Sequence, residues 1–597
     1  MEDLKNNTIK GGEFLVRTTE AGEIFIPEEY TEEQIMIAQT CHDFLEQNVN
    51  HQLDEIDEQQ EGLMESLVEK AGELGLLGVS IPEEFGGFGK DINTGLLVNE
   101  ATGAGHSFAV AVAAHTGIGT LPILYYGTQE QKEKYLPKLS AGEFKGAYCL
   151  TEPGSGSDAN AAKTKAVLTE DGKHYILNGQ KMWITNAGFA DVFIVFARID
   201  DDKNISGFIV EKDFGGITLN EEEKKMGIKG SSTRQVFFND CKVPVENLLG
   251  KRDGGFKIAV NILNIGRIKL AAAALGAAKG AANLSIKYAN ERQQFGRSIS
   301  KYGAIRYKIA EQAIKIYATE SATYRAGKDM DMATEKYKGE GKTLEEAKLK
   351  AAEEFAVECA ILKVHGSETL DYVVDEGVQI YGGMGFSADA PMDRSYRDSR
   401  INRIFEGTNE INRMLAVDMM LRKGLKGEID LMGPVQAVIA ELTSVPDFGG
   451  DEEETLFSKE KKIIANMKKV GLMVAGASVQ KYTETLAKEQ EVLMDLADIL
   501  IEAYVAESSI LRAEKLVSIK GEEAAKMHIE MAKVNLYDAN DRIYISAKNA
   551  INSFAEGDEM RMMLLGLKRY TKHHPLNVKE LRRSIAQKLI DQNKFGF

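Results

Sequence analysis

The chain has 597 residues, 43% hydrophobic and 27% charged, long enough for three or four domains with sizeable cores. Its 73 Lys and Arg face 91 Asp and Glu, a formal net charge of −18. That excludes wrapping of nucleic acid and obliges any anionic ligand to find a local basic or N–H-lined site. Four scattered cysteines, Cys41, Cys149, Cys241 and Cys359, argue against a disulfide framework and a zinc site and for a reducing compartment.

The start, Met1-Glu2-Asp3-Leu4, has neither the basic nor the apolar region of a secretory signal and is too acidic for a transit peptide, so a cytoplasmic location is expected. Residues 1–30 mix charge, glycine and short apolar runs and read as an irregular N-terminal extension. Residues 31–146 read as a helical domain: Ile35, Ala38, Phe44 and Leu45 mark one apolar face, and Met64, Leu67, Ala71 and Leu74 another. Residues 82–89 form a Gly-rich turn, and 106–121 a buried helix in which His115 reads as a satisfied core histidine. The most apolar windows, 108–114 and 270–278, fall short of the ~20 residues of a membrane helix.

The texture changes near Tyr148, and residues 147–250 read as strands. The runs 192–197, 208–210 and 235–238 are β-rich, and Asn178-Gly179 signals a tight turn. Residues 251–425 are helical again, with helices expected over 256–288, 301–337, 344–381 and 409–421. Residues 426–454, with Gly433-Pro434, Pro446, Gly449-Gly450 and the acids Asp451 to Glu454, have linker chemistry. Residues 455–597 form an extra C-terminal helical domain. There the stripe Ile463, Ile464, Met467, Val470 and Val474 reads as a packed core face in preference to a membrane-surface helix. Helical, β and helical blocks in that order make a mostly helical α+β protein, not a doubly wound sheet.

Two segments match G-x-G-x-x-G/A, at Gly154 to Ala159 and Gly383 to Ala388, but neither sits between a strand and a helix, so a dinucleotide fold is rejected. There is no P-loop and no H-E-x-x-H. A different constellation carries the chemistry. Tyr148-Cys-Leu150-Thr151-Glu-Pro-Gly-Ser-Gly156-Ser157-Asp158 is a polar, Gly-rich loop whose hydroxyls and N–H groups suit a polar heterocycle. Trp183-Ile184-Thr185 offers, on one strand face, a stacking surface and a hydrogen bond. Arg292-Gln-Gln294-Phe295-Gly296 ends a helix with a cation placed for a phosphate, and Gln379-Ile380-Tyr-Gly382-Gly383 has backbone open to close approach. In Ile404-Phe405-Glu406-Gly407-Thr408-Asn409-Glu410, Thr408 is placed to cap a helix, and apolar flanks should desolvate the Glu406 carboxylate and raise its pKa.

Together and in this order, these motifs resemble the acyl-CoA dehydrogenase family over residues 35–425. So do Met226-Gly-Ile-Lys-Gly-Ser-Ser-Thr233 and the 238–249 run with Val243-Pro244. The C-terminal block, Leu263-Asn264-Ile-Gly-Arg267 and Gly303 are most similar to the very-long-chain branch. The resemblance implies a helical domain, a β-barrel-like middle domain and a four-helix bundle with FAD between them. It implies that Tyr148, Leu150, Thr151, Gly156, Ser157, Trp183, Ile184 and Thr185 hold the flavin ring. Arg292, Gln294, Phe295, Gln379, Ile380, Gly382 and Gly383 would hold the pyrophosphate and adenosine of a neighbouring subunit's FAD, so a homodimer or dimer of dimers is implied. Thr408 and Glu410 would complete that site.

By the same resemblance, Glu406 is the base that takes the α-proton of an acyl-CoA while a β-hydride passes to the flavin, giving trans-2-enoyl-CoA. The Glu406 N–H would polarise the thioester carbonyl. Ser157, Asn264, Arg267, Phe405 and Gly407 would contact the substrate, Arg267 at its CoA part. The implied role is β-oxidation of long-chain acyl-CoA with electrons passed to electron-transferring flavoprotein. The alternatives are an acyl-CoA oxidase using oxygen and a non-enzymatic assembly protein on the same fold.

Overall fold

The computed structural model describes residues 9–444 and 455–597. Residues 1–8 of the extension, and Pro446, Gly449-Gly450 and Asp451 to Glu454 of the linker, lie outside the described residues. The remainder of the extension makes three short 3₁₀ turns, Glu13–Leu15, Ala21–Glu23 and Pro27–Glu29. It is irregular as expected, yet Phe14, Leu15, Ile24 and Ile26 are buried in the main core.

Seven helices follow: α1 Glu32–Phe44, α2 Leu53–Asp57, α3 Leu63–Glu73, α4 Ile92–Thr102, α5 His106–Ala114, α6 Leu121–Tyr126 and α7 Gln129–Ser140. Reciprocal capping boxes start α1 (Thr31 with Gln34) and α7 (Thr128 with Gln131), satisfying N–H groups the helix itself leaves open. His115 is fully buried between the Leu139 carbonyl (2.9 Å) and the Gly146 N–H (3.0 Å), the satisfied core histidine its surroundings imply.

Eight strands then pair in one sheet: β1 Gly146–Cys149, β2 Lys165–Leu168, β3 His174–Thr185, β4 Val192–Ile199, β5 Ser206–Glu211, β6 Ile217–Leu219, β7 Thr233–Pro244 and β8 Leu248–Leu249. The order is β6-β7-β3-β2-β4-β5-β8, with β1 parallel to β4. The turn expected at Asn178-Gly179 does not form. The pair lies inside β3 at a break in register with β7. Gly179 has φ 155°, and a Cβ there would meet Thr164 Cα at 2.7 Å. Asn178 exchanges hydrogen bonds with Asp240 across the sheet (3.0 and 2.8 Å), so the strand bulges and continues.

The second helical block is α8 Gly255–Glu291, a hairpin of β9 Gln293–Gln294 and β10 Arg297–Ser298, then α9 Gly303–Gly339, α10 Leu344–Glu354, α11 Ala356–Tyr381, α12 Pro391–Ser399 and α13 Asn409–Leu425. The single helix expected over 344–381 breaks at Phe355, with φ −95° and ψ 23°. The Glu354 carbonyl freed there accepts from Lys423 Nζ at 2.6 Å. Gly11 of the extension packs so tightly on the break that a Cβ would lie 1.9 Å from that oxygen.

The expected linker carries a helix, α14 Met432–Thr443, in which Pro434 sits in the first turn where its missing N–H costs no internal bond. The rest is helical: α15 Ser458–Tyr482, α16 Gln490–Lys520, α17 Glu522–Phe554, α18 Gly557–Tyr570 and α19 Val578–Gln592. By length and composition, the stretches Ile92–Tyr126 and Gly255–Glu291 match a membrane span, contrary to the windowed reading. Two thirds of each apolar window (67%) is buried inside the fold, which is what core helices require.

The C-terminal helices share one continuous hydrophobic core with α8, α9 and α11. Buried charges cross that seam. Arg512 on α16 reaches Glu320 on α9 (2.6 Å) and Glu28 of the extension (2.7 Å), and His528 on α17 also meets Glu28 (3.1 Å). Arg325 on α9 pairs with Glu507 on α16 at 3.0 Å. Removing one member of such a set leaves buried charge uncompensated. Arg512→Met is therefore expected to destabilise the protein by about 3–5 kcal/mol, read as a lowered urea midpoint. A midpoint equal to wild type would contradict the role given to this cluster.

Candidate active site

The Glu406 turn is built from the chain up. A short 3₁₀ helix, Arg400–Arg403, delivers Ile404 and Phe405, and α13 begins at Asn409. Thr408 caps α13 as expected, its side chain accepting from the Ile411 N–H at 3.3 Å. Between them Glu406 (φ 59°) and Gly407 (φ 82°) are both left-handed, a cost that a non-glycine residue bears where the surroundings impose it. Asn412 supplies part of that constraint, donating to the carbonyls of Glu406 (3.3 Å), Gly407 (2.8 Å) and Thr408 (3.0 Å). Lys363 on α11 donates to the Gly407 carbonyl at 2.7 Å and to Asn409 Oδ1 at 2.8 Å. Arg267 on α8 lies 3.4 Å from the Glu406 carbonyl and 2.6 Å from Asn264 Oδ1.

The carboxylate turns inward against α8. A Cβ on Gly266 would lie 2.8 Å from Glu406 Oε2, so only glycine leaves room for it. Oε2 is sealed from solvent and has no hydrogen-bond partner. Burial pushes the Glu406 carboxyl up to about 7, while Arg267 and Lys363 pull it down. Burial also lowers the Lys363 ammonium to about 7, with Glu406 acting against that shift. Among the described residues no acceptor pairs with the Glu406 N–H.

Glu406, Phe405 and Thr185 line a cavity of about 430 Å³. Its walls come from α8 (Gly266, Ala273, Ala277 and Gly280 among them) and α5 (Ala109, Val110, Ala113, Ala114). Small side chains on two facing helices leave a channel along their axes. From Gly266 to Gly280 it spans ~21 Å at 1.5 Å per residue.

The Tyr148 loop leaves β1 beside this cavity. Thr151 accepts from the Met182 N–H of β3 at 2.9 Å. A buried ion pair, Lys181 with Glu152 at 2.7 Å, ties the loop to β3, and Lys181 Nζ also reaches the Leu150 carbonyl at 3.2 Å. The Tyr148 hydroxyl is buried without a partner, and Glu406 contributes to raising its pKa, second to burial. Gly156 has open space around it, and Ser157 is exposed. Trp183 is 60% exposed at φ 59°, where β3 breaks register, so simple alternation does not set its face relative to Thr185. Ile184 points into the core and offers only its backbone. An exposed indole, an open glycine backbone and an orphaned buried hydroxyl are groups that suit a planar, polar heterocycle.

The remaining predicted residues form a separate cluster. Arg292 caps the end of α8, and Gln294 and Phe295 form the exposed hairpin beyond it. Gln379 and Ile380 end α11, and Gly382 and Gly383 form the turn after it. Tyr288 and Tyr381, stacked at 3.9 Å, join the two helices there. Arg292 stands ~37 Å along α8 from Arg267 at the regular helical rise. Arg267 itself is buried against the Glu406 turn, which it holds by its carbonyl. Sequence reasoning missed Gly266, Lys363 and Asn412; a glycine inside a helix, at Asn264-Ile-Gly266-Arg267, was the one available signal. No group of three or more His, Cys, Asp or Glu able to hold a metal occurs among the described residues.

An inward carboxylate at the head of an apolar channel, beside a cleft for a flat heterocycle, defines a class of acyl-handling oxidoreductases. Family models agree: residues 31–143 match the acyl-CoA dehydrogenase N-terminal domain, 147–241 its middle domain, and 253–421 and 466–569 its C-terminal domains. The chain belongs to the acyl-CoA dehydrogenase family. It is 45% identical to a probable acyl-CoA dehydrogenase of Bacillus subtilis (strain 168), covering 98% of each chain. It is 37% identical to the very long-chain specific mitochondrial acyl-CoA dehydrogenase of Rattus norvegicus, over 77% of this chain and 71% of that one. The crystal structure of an acyl-CoA dehydrogenase complexed with FAD from Bacillus anthracis matches with a TM-score of 0.95 at 46% identity, covering 99% of this chain and 100% of that one.

A carboxyl that ordinarily titrates at 4.5 and here at about 7 holds its proton more tightly folded than unfolded. That stabilisation is complete below pH 4.5 and is lost as pH rises through 7. Glu406→Gln, which cannot ionise, is therefore expected to match wild type near pH 4. By pH 8 it should exceed wild type by up to ~3 kcal/mol. Denaturant melts of both proteins across that range check it, and a constant difference would contradict the burial of a titrating carboxyl.

Proposed function

We propose that this protein is an FAD-dependent dehydrogenase that converts long-chain acyl-CoA to trans-2-enoyl-CoA, works as a dimer, and passes its electrons to an electron-transferring flavoprotein. The observation that carries this reading is the Glu406 carboxyl at the head of an apolar channel: its Oε2 is sealed without a hydrogen-bond partner, and burial raises its pKa to about 7.

A base that removes a proton from carbon works best when its conjugate acid titrates near the working pH. Burial brings Glu406 there, and Arg267 and Lys363, acting from behind the turn, stop the shift from going further. The turn geometry keeps the carboxylate's position constant by holding three successive carbonyls. The Glu406 N–H is assigned to the thioester carbonyl oxygen, where a preorganised donor typically supplies ~3–4 kcal/mol to the developing oxyanion. Tyr148, Leu150, Thr151, Gly156 and Ser157 with Trp183 to Thr185 would hold the flavin ring, Thr185 at its hydrogen-bonding edge. Bound FAD supplies the two-electron acceptor for the β-carbon. Ser157 would separate flavin from substrate, and Thr408 and Glu410 would complete the site.

Arg292, Gln294 and Phe295 at the end of α8 and Gln379, Ile380, Gly382 and Gly383 at the end of α11 gather beside the Tyr288–Tyr381 stack. Their assignment is to the pyrophosphate and adenosine of a partner's cofactor, which is the basis for a dimer. The long-chain preference rests on the length of the channel and on the small residues that line it. The FAD-bound structure from Bacillus anthracis and the very-long-chain-specific relatives support the reading.

Two outcomes are expected. Glu406→Gln keeps the shape and removes the proton acceptor. It should remain yellow and bind acyl-CoA with near-wild-type affinity, yet lose flavin bleaching by roughly 10²–10⁴-fold or more. Ala277→Leu places a branched side chain about three quarters of the way along the channel. Across acyl-CoAs from C4 to C20 it should lower kcat/KM for C16 by at least ~10-fold relative to C8, since overfilling a packed apolar site is costly. An unchanged chain-length profile would remove the channel from the assignment.

A further inference from the structure

The channel does not end in hydrocarbon. Following α8 away from Glu406, Gly280 lies against Ala104: a Cβ on that glycine would come within 3.3 Å of the Ala104 methyl. Two residues beyond Ala104 stands His106. Asn50, Asn283, Ser395 and Asp398 line the same cavity. Gly280 is about four helical turns from Gly266, ~21 Å along α8, roughly the reach of an extended sixteen-carbon acyl chain.

The imidazole is held in a defined orientation. Its Nδ1 lies 2.9 Å from Asp398 Oδ2, and the other carboxylate oxygen of Asp398 accepts the Ile228 N–H. With both Asp398 oxygens engaged as acceptors, the neutral ring donates from Nδ1 and keeps its lone pair on Nε2. That nitrogen has no partner among the described residues. His106 also adopts φ 52° and ψ −125°, a backbone conformation that glycine favours and a side-chain-bearing residue rarely takes. Glycines occur at 103 and 105, yet the strained position itself carries an imidazole. The His106 side chain is 20% exposed, so its imidazole stands where the cavity meets polar surroundings, and a terminal methyl would gain nothing from it.

We propose that the far end of the channel is a polar subsite, built on His106 and oriented by Asp398, that accepts a hydrogen bond from a hydroxyl at the end of the acyl chain, so that ω-hydroxyacyl-CoA thioesters are substrates in their own right. The inference rests on the acyl-CoA reading above and deepens it by naming a substrate class. The ω-hydroxyl donates to His106 Nε2, and the chemistry at Glu406 is unaltered.

The test compares kcat/KM for hexadecanoyl-CoA and 16-hydroxyhexadecanoyl-CoA in the FAD-loaded wild type, His106→Leu and His106→Asn. Asparagine tolerates positive φ, so that variant remains informative if leucine prevents folding. Wild type is expected to use the hydroxylated thioester at least as well as the plain one. His106→Leu should lower the hydroxy-to-plain ratio about 10-fold, and His106→Asn should lower it less. Because the readout is a ratio within each variant, a general loss of stability or flavin does not imitate it. A wild-type preference of tenfold or more for the plain thioester, or a ratio unchanged in both variants, would overturn the subsite while leaving the acyl-CoA reading intact. Flavin that neither thioester reduces would instead overturn the acyl-CoA reading and the subsite with it.

Discussion

A carboxylate kept out of water is the constraint on which the rest of this structure depends. Burying a charge without a partner is so costly that the group takes up a proton instead. Glu406 sits between the two limits. Its Oε2 is sealed and unpaired, and two cations, Arg267 and Lys363, act at one remove by gripping carbonyls of its turn. The position is further held by a left-handed pair, Glu406 and Gly407, that the backbone would relax if Asn412 did not bind three carbonyls in a row. Electrostatics and backbone geometry are here one device: the groups that fix where the carboxylate stands also set how strongly it holds a proton.

The long helix α8 meets the demands of that device. Its glycines and alanines permit contacts that larger residues would forbid. Gly276 packs so that a Cβ would lie 1.9 Å from the Glu100 carbonyl, and a Cβ on Gly366 of α11 would lie 3.0 Å from Ala271 Cα. On another face the same kind of residue leaves space in place of contact, and that space is the channel. Close-packed interiors contain few voids, so a continuous one along a helix is maintained by every neighbour that could have filled it.

The outer helices and the N-terminal extension stiffen this arrangement from behind. Lys279, one residue from the channel-lining Gly280, bonds Glu100 at 2.6 Å and also meets Glu320, which in turn holds Arg512 of α16. Tyr324 adds a 2.6 Å bond to Glu100. The chain of buried charges therefore runs from the channel wall through α9 to the C-terminal helices and, by way of Glu28, to the extension. Those late helices and early turns are continuous with the core, which explains why residues that read as a loose leader are buried at Phe14, Leu15, Ile24 and Ile26.

Much of the local structure was legible in the sequence because its causes are local. Helix periodicity, the Thr408 cap and the β-rich runs 192–197 and 235–238 follow from side chains acting on their own backbone. Two apolar residues before it, Ile404 and Phe405, announced the desolvation of Glu406. Where a distant segment intervened, local signals misled. Asn178-Gly179 has the chemistry of a hairpin turn, but Asp240 across the sheet claims Asn178 and makes a bulge. The 344–381 stretch has the periodicity of one helix, but Gly11 and Lys423 act at Phe355 and divide it. Gly433-Pro434 punctuates a linker in sequence and lies in the first turn of a helix in the fold. By itself the sequence determined the family, and it singled out Glu406 and two groups of motif residues. Only the tertiary structure decided that Lys363 and Asn412 hold the turn and that His106 lines the same cavity as Glu406. Each of those facts is a meeting of residues far apart in the chain, and such meetings are set by packing, which no local pattern of residues encodes.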